Sequence, residues 1–390
     1  MMTYQPSTLM DRAAQAAAIA ARHADSVDRD GRFPHEARKA LAEARLFGAM
    51  IPTQFGGDGA TIEEIAEICR MLAESCASTG MIYAMHQIKT SSLIEHGAGA
   101  PWHEAFMRRV AAEQLLLGSA TTEGGIGGDL RNSICAVETE GDRFRLEKNA
   151  TVISYGDDCD AILVTARRAP DAASSDQVMV VLRKQDYTLT KTTGWNTLGM
   201  RGTCSDGYVL KAEAGVEQIL PVPFAEIAAQ SMLAMAHLLW SSLWYGIAAS
   251  AVGKAQAFVR AEARKMPGKT PPGAIRLAEA TTKLQLMRSL VVDGLRRYEA
   301  AKTGSDDLGS IAFVVAMNNV KVGASQTMIE VINLAFMICG IWGYKNDTQY
   351  TLGRELRDAM SAPIMINNDR ILGNSSTLLV AHRLDQRLSV

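Results

Sequence analysis

The chain has 390 residues, 47% hydrophobic and 21% charged, enough apolar content to bury a large core and too much for a disordered or collagen-like chain. Forty Lys and Arg nearly balance 42 Asp and Glu, so the net charge of −2 offers no field for nucleic acid or an anionic membrane surface, and small-molecule chemistry is the default expectation. The six cysteines form no C-x-x-C pair and have no histidine at metal-ligand spacing, so they read as reduced core thiols, with no metal site implied.

From about Ser7 to Leu117 the pattern is helical, with apolar residues at spacings of three and four through 13–21, 37–46, 62–72 and 106–117. The first residues lack the basic and apolar stretches of a secretory signal, so a cytoplasmic location is expected. Pro34 is expected at the first position of a helix that runs to Leu46. Thr61 and Glu64 spell a capping box after the loop Ile51-Pro52-Thr53-Gln54-Phe55-Gly56-Gly57. At Gly118 the texture changes to short β-branched runs (144–146, 151–154, 161–166, 178–182, 208–210) between Gly, Asp and Asn turns. The connections are too short for helical crossovers, so antiparallel pairing is expected. Helical periodicity returns over 225–265, 272–303 and 308–336, with a final helix near 374–384. Pro267, Gly268, Pro271, Pro272 and Gly273 separate the first two, and such long amphipathic helices suit an antiparallel bundle. The run Met232 to Val252 is interrupted by His237, Trp240, Ser241, Ser242 and Tyr245 and reads as a buried helix, not a membrane span.

Five stretches in order carry a likeness: Phe33-Pro34-His35-Glu36 through Ile51–Gly57; Thr122-Glu123-Gly124-Gly125-Ile126-Gly127-Gly128-Asp129; Lys148–Ser154; Leu198-Gly199-Met200-Arg201-Gly202-Thr203; and Cys339-Gly340-Ile341-Trp342-Gly343-Tyr344 followed by Arg354, Arg357 and Asp358. Together they resemble the acyl-CoA dehydrogenase superfamily of flavoproteins over nearly the whole chain. The resemblance implies an α+β fold with an N-terminal helical domain (1–117), a middle antiparallel β domain (118–220) and a C-terminal four-helix bundle (221–390). It implies FAD as cofactor, a small-molecule substrate such as an acyl-CoA, and a homotetramer. Glycines at 124, 125, 127 and 128 let backbone approach a ligand closely. By resemblance Gly128 faces substrate, and the hydroxyls of Thr122 and Ser154 bond the isoalloxazine and tune its electronics. Gly340 and Gly343 would lie against the FAD of an adjoining subunit, and Lys269 stands where the family often has an arginine for the pyrophosphate.

The sequence also departs from the family. The glutamate that removes the α-proton of an acyl thioester is replaced, counting from Arg357, by Ile366. The alternative acid on the long C-terminal helix is absent too, Leu243 and Trp244 standing there. Asp369 is the nearest carboxylate, as a displaced base or as part of a helix cap with Asn367 or Asn368. His86 and His237 are the remaining candidates for proton chemistry. His86 lies on a helix that by resemblance runs close to the substrate cavity, and flavin monooxygenases of this fold use a histidine and a serine on their reactive flavin. Trp240, Trp244 and Tyr245 are core residues or, lining a cavity, a surface for substrate. Three readings stay open: an acyl-thioester oxidase of the Cα–Cβ bond with an atypical base, passing electrons to an electron-transfer flavoprotein; a two-component monooxygenase supplied by a flavin reductase; and a non-catalytic paralogue.

Overall fold

Thr8 and Asp11 close a capping box at the start of α1 (Leu9–Asp30), whose buried stripe of Ala13, Ala16, Ala17, Ala20, Ala24 and Val27 follows the helical spacing. The computed structural model describes residues 8–127, 129–304 and 308–383. Pro34 stands one residue earlier in α2 (His35–Glu43) than expected, at the N-cap, because its ψ of 68° is not helical. The helix also stops short of Leu46. Arg45 turns left-handed at φ +56°, and the Leu46 and Arg45 amides bond back to the Leu41 and Ala42 carbonyls, a Schellman closure. The capping box of Thr61 and Glu64 opens α3 (Ile62–Ser75), with Glu64 N 3.2 Å from Thr61 Oγ1. Helices α4 (Ala77–Gly97) and α5 (Pro101–Glu113) follow, and α4 is buried on nearly all sides.

The chain divides into two units: residues 8–68, 78–197 and 201–236 in one, and 69–77, 198–200 and 237–383 in the other. The first holds both sheets. Strands β2 (Glu138–Glu140), β3 (Arg143–Ile153), β6 (Tyr187–Thr193) and β7 (Asp206–Gly215) form an antiparallel sheet in the order β2-β3-β7-β6. In β3 buried and exposed residues alternate, as on a sheet with one wet face. The second sheet, β1 (Leu117–Ala120), β4 (Ala161–Arg167) and β5 (Gln177–Arg183), corrects the all-antiparallel expectation. β1 pairs parallel to β4, with Leu117 opposite Ala161, because β2 and β3 lie between them in the chain and supply the crossover that a parallel pair needs. β4 and β5 are buried on both faces except at one end. The unit closes with α6 (Phe224–Ile227), a π-helical turn (Ala228–Met232) and the start of α7 (Leu233–Lys265).

In the second unit, α8 (Ala274–Lys302) packs along α9 (Ile311–Cys339), and α9 also touches α10 (Ile341–Tyr344), α11 (Gly353–Ala359) and α12 (Asn368–Ala381). The final helix starts six residues before the expected boundary, since Asn367 accepts the Asp369 amide at 2.8 Å and begins it there; Leu384 lies outside the described residues. Among the described residues two helices, Phe224–Lys265 and Ile311–Cys339, have membrane-like length and hydropathy. The first contains the run Met232 to Val252, and its most apolar stretch of 18 residues is 83% buried inside the protein, as befits a core helix. All six cysteines are free thiols, and each is buried except the half-buried Cys204.

Candidate functional site

The end of β3 is built from the two hydroxyl residues that the sequence singles out. Thr122 Oγ1 donates to the carbonyl of Val152 at 3.0 Å, and Gly124 N to that of Asn149 at 3.0 Å, so the segment after β1 runs along the last turn of the strand. A register shift between Ala150 and Ile153 bends β3 there, and Ser154 follows at the bend. Ser154 Oγ lies 2.8 Å from Ser205 Oγ, which lies 2.9 Å from Thr203 Oγ1. The structure therefore gathers Thr122, Ser154, Ser205 and Thr203 around one strand end. Gly125 and Gly127 carry positive φ (+90° and +60°), and a Cβ at Gly125 would come within 3.0 Å of Ile134, so the loop needs glycine. Gly128 lies outside the described residues.

Beneath this loop sits a buried ion pair. Lys148, inward-facing on β3, places Nζ 3.2 Å from Glu123 and 2.8 Å from the Thr165 carbonyl. Glu123 also accepts from Ser133 Oγ and from the Ile134 and Cys135 amides at 2.8, 3.0 and 2.6 Å. Burial works to raise the Glu123 pKa, but Lys148 and these donors outweigh it and hold the carboxyl below its ordinary range. One carboxylate thus pins both ends of the glycine loop.

His86 is enclosed in the same unit. The Leu117 amide donates to Nδ1 at 3.0 Å and Nε2 lies 2.7 Å from the Phe47 carbonyl, which fixes a neutral ring with the proton on Nε2. Burial pulls its pKa down to about 4. Both nitrogens are committed, an arrangement that orients backbone and leaves no open position for proton transfer.

In the second unit two of the motif stretches meet. Asp358 Oδ1 accepts the Met200 amide at 2.6 Å, and Arg357 donates to the Leu198 carbonyl at 3.1 Å. A Cβ on Gly199 would overlap the Arg357 carbonyl at 2.2 Å, which leaves room there for glycine alone. Ile366, at the family's glutamate position, adopts φ +46°, an outlier for a β-branched residue. Lys321, fully buried, holds it there: Nζ donates to the Ile366 and Ala362 carbonyls at 2.6 and 3.1 Å and to Asn368 Oδ1 at 2.7 Å. Asp369 is exposed in the first turn of α12, while Asn367 supplies the cap.

Trp244 is wholly buried on α7, with Lys321 Nζ 5.7 Å from the centre of its ring. Among the described residues its indole nitrogen has no hydrogen-bond partner, and neither have His237 Nδ1, Trp240 Nε1 or Ser241 Oγ. These residues fall at helical spacings of three and four, so four buried orphan groups share one face. Burial, with Lys321 nearby, pulls the His237 pKa down to about 4. Gly340 caps α10 and the buried Gly343 lies within it, beside the exposed Ile341, Trp342 and Tyr344, and Lys269 is exposed in the loop between α7 and α8. Those three stand in a different unit from Thr122 and Ser154.

Residues 8–114 match the N-terminal domain, and residues 227–371 the C-terminal domain, of acyl-CoA dehydrogenases. The chain belongs to the acyl-CoA dehydrogenase family. It is 26% identical to the cyclohex-1-ene-1-carbonyl-CoA dehydrogenase of Geobacter metallireducens, over 88% of this chain and 89% of that one. It is also 26% identical to the probable acyl-CoA dehydrogenase FadE25 of Mycobacterium tuberculosis, over 90% and 88%. Among solved structures, FMN-bound TdsC from Paenibacillus sp. A11-2 superposes with a TM-score of 0.83 at 19% identity, covering 97% of this chain and 98% of that one. Butyryl-CoA dehydrogenase from Megasphaera elsdenii gives 0.80 at 19% identity, covering 97% and 100%. These structures share the α+β fold.

As a member of this family the protein is a flavin-dependent oxidoreductase, FAD being the family's usual flavin. The β3 end suits such a cofactor on chemical grounds: a hydroxyl chain and a loop stripped of side chains match the donor and acceptor edge of a flat heterocycle. Thr122 and Ser154 would hold it, and bound flavin would supply the hydride acceptor. Ser205, missed by the sequence reading, follows the matched motif by two residues. Lys321 and Lys148 carried a signal of their own, a lysine at a core-facing position that must find partners.

Proposed function

We propose that this acyl-CoA dehydrogenase family member oxidises an acyl thioester, carried by CoA or a carrier protein, between Cα and Cβ. The observation that supports this most is the match of both terminal domains to the family, together with the glycine loop and hydroxyl chain at the end of β3. Thr122 and Ser154 bind and orient the cofactor in this reading. The unpartnered indole nitrogens of Trp240 and Trp244 and the Ser241 hydroxyl on α7 offer donors to an oxygen-bearing substrate. Gly128 serves the substrate, Lys269 the pyrophosphate of the cofactor, and Gly340 and Gly343 the cofactor of an adjoining subunit, in a cytoplasmic homotetramer whose electrons pass to an electron-transfer flavoprotein. Removal of the α-proton falls to Asp369, not to His86, whose nitrogens are both engaged.

The test is an anaerobic titration of FAD-loaded protein with short, branched and aromatic acyl-CoAs, following the oxidised-flavin absorbance. Bleaching upholds the reading, and its absence with every thioester overturns it. The second reading, a two-component monooxygenase acting on a small molecule with flavin delivered by a reductase, is favoured by one observation: Ile366 fills the place of the family's base. Oxygen-dependent product formation with supplied reduced flavin would establish it.

A further inference from the structure

Between Ala77 and Ile94, α4 carries one charged residue, Lys89. It is 4% exposed, and the hydrogen-bond partner of its ammonium is the thioether of Met232 at 3.3 Å, a weak and uncharged acceptor. Burial pulls its pKa down to about 7, with no carboxylate contributing. A lysine enclosed in this way either sheds its proton or holds a positive charge that no carboxylate among the described residues compensates. Ser92 and His96 lie one and two turns further along the same face of α4. The π-helical turn packs against that face: Ser231 Oγ is 3.3 Å from Ser92 Oγ and 3.1 Å from His96 Nε2, while the next residue, Met232, meets Lys89. Glu95 and Glu226 act on His96 and not on Lys89. A π turn adds a residue to the helix, and here it turns two consecutive side chains toward α4; such turns recur at ligand sites.

We propose that this face is the receptor for an oxyanion carried by the substrate, with Lys89 Nζ as the charge and the hydroxyls of Ser92 and Ser231 turning to it from the Ile88 and Ile227 carbonyls, to which they donate at 3.3 and 2.9 Å in the free protein. In the acyl-thioester reading above, on which the choice of thioester probes rests, the oxyanion is a carboxylate on the acyl chain. FAD-loaded protein is titrated by calorimetry, without oxygen, with glutaryl-CoA and with pentanoyl-CoA, which has the same chain length and no carboxylate. Glutaryl-CoA binds about tenfold or more tightly of the two, the size of a charge-assisted hydrogen bond. The preference vanishes in Lys89→Met, persists in Lys89→Arg, and comes with proton uptake in wild type at mildly alkaline pH, seen as a buffer-dependent heat. Lys89→Met loses a buried ammonium and keeps an apolar chain, so its melting temperature equals or exceeds that of wild type. Equal affinity for the two thioesters, or a preference that survives in Lys89→Met, overturns the proposal. If neither thioester binds, the acyl-thioester reading falls by itself. Free glutarate and methanesulfinate then decide for the lysine: Lys89-dependent binding of either upholds the receptor, and its absence with both overturns it.

Discussion

His86 and His237 are held neutral by burial, each with a pKa near 4 against an ordinary value of 6.5. Below 6.5 the unfolded chain takes up protons that the folded rings refuse, so the stability these residues carry is complete above that pH and drains away toward pH 4. Each accounts for about 2 kcal/mol between neutrality and roughly pH 5. Urea denaturation at the two pH values should show this loss, and His86→Gln should reduce it by about half; an unchanged pH dependence in that variant would mean that the ring titrates freely. The absence of a glutamate at Ile366 is legible by counting from Arg357, but its left-handed backbone is not, because Lys321, 45 residues away in sequence, imposes it through the Ile366 carbonyl. Ile366→Glu places a carboxylate where the family has one. If the acyl-thioester reading is right, flavin reduction in this variant speeds up by about two orders of magnitude, the usual reach of a general base. Asp369→Asn should slow it by a similar factor, and an unchanged rate would leave Asp369 to the first turn of α12.

Strand β3 shows what an element's own pattern can and cannot tell. Alternation puts Lys148 on the inner face, so the need for a partner is legible; that the partner is Glu123, at the head of the glycine loop, depends on how the chain returns to the strand. The parallel pairing of β1 with β4 escaped for the same reason, since strand order is fixed by tertiary packing and not by runs of β-branched residues. The cap of α3 was easier, because Thr61 with Glu64 acts over three residues. The Glu123–Lys148 pair yields an element-scale prediction. Removing one member strands the other charge in the interior, so Lys148→Met should destabilise the protein by about 3–5 kcal/mol in urea unfolding. Hydrogen exchange should quicken at the Ile134 and Cys135 amides that Glu123 holds. The double variant Glu123→Gln, Lys148→Met should recover part of the loss; a loss equal to the sum of the single effects would show that the two groups act independently.

For the molecule as a whole, the order of helices, sheets and helices was readable from texture alone, and family membership rested on motifs spread from Phe33 to Asp358. Surface residues told less, since an exposed apolar side chain looks in sequence like a buried one. Met337, Ile341 and Tyr344, 57%, 62% and 70% exposed, cluster where α9 meets α10, beside the glycines expected to serve a neighbouring subunit. Light scattering should give a tetramer, and Tyr344→Glu with Ile341→Asp should yield smaller species that bind FAD less tightly; a wild-type monomer would dispose of the shared cofactor site. The thiols have a practical bearing. Burial pushes Cys135 and Cys159 up to about 12, and Cys204 and Cys339 up to about 11, so the thiolate that reacts with maleimides or Ellman's reagent is scarce in the folded chain. Ellman's reagent should find Cys204 first and the other five on unfolding, which makes reactivity a clock for opening of the core. A cysteine placed on the exposed loop at Lys269 could then carry a fluorophore or spin label with the native thiols left in place.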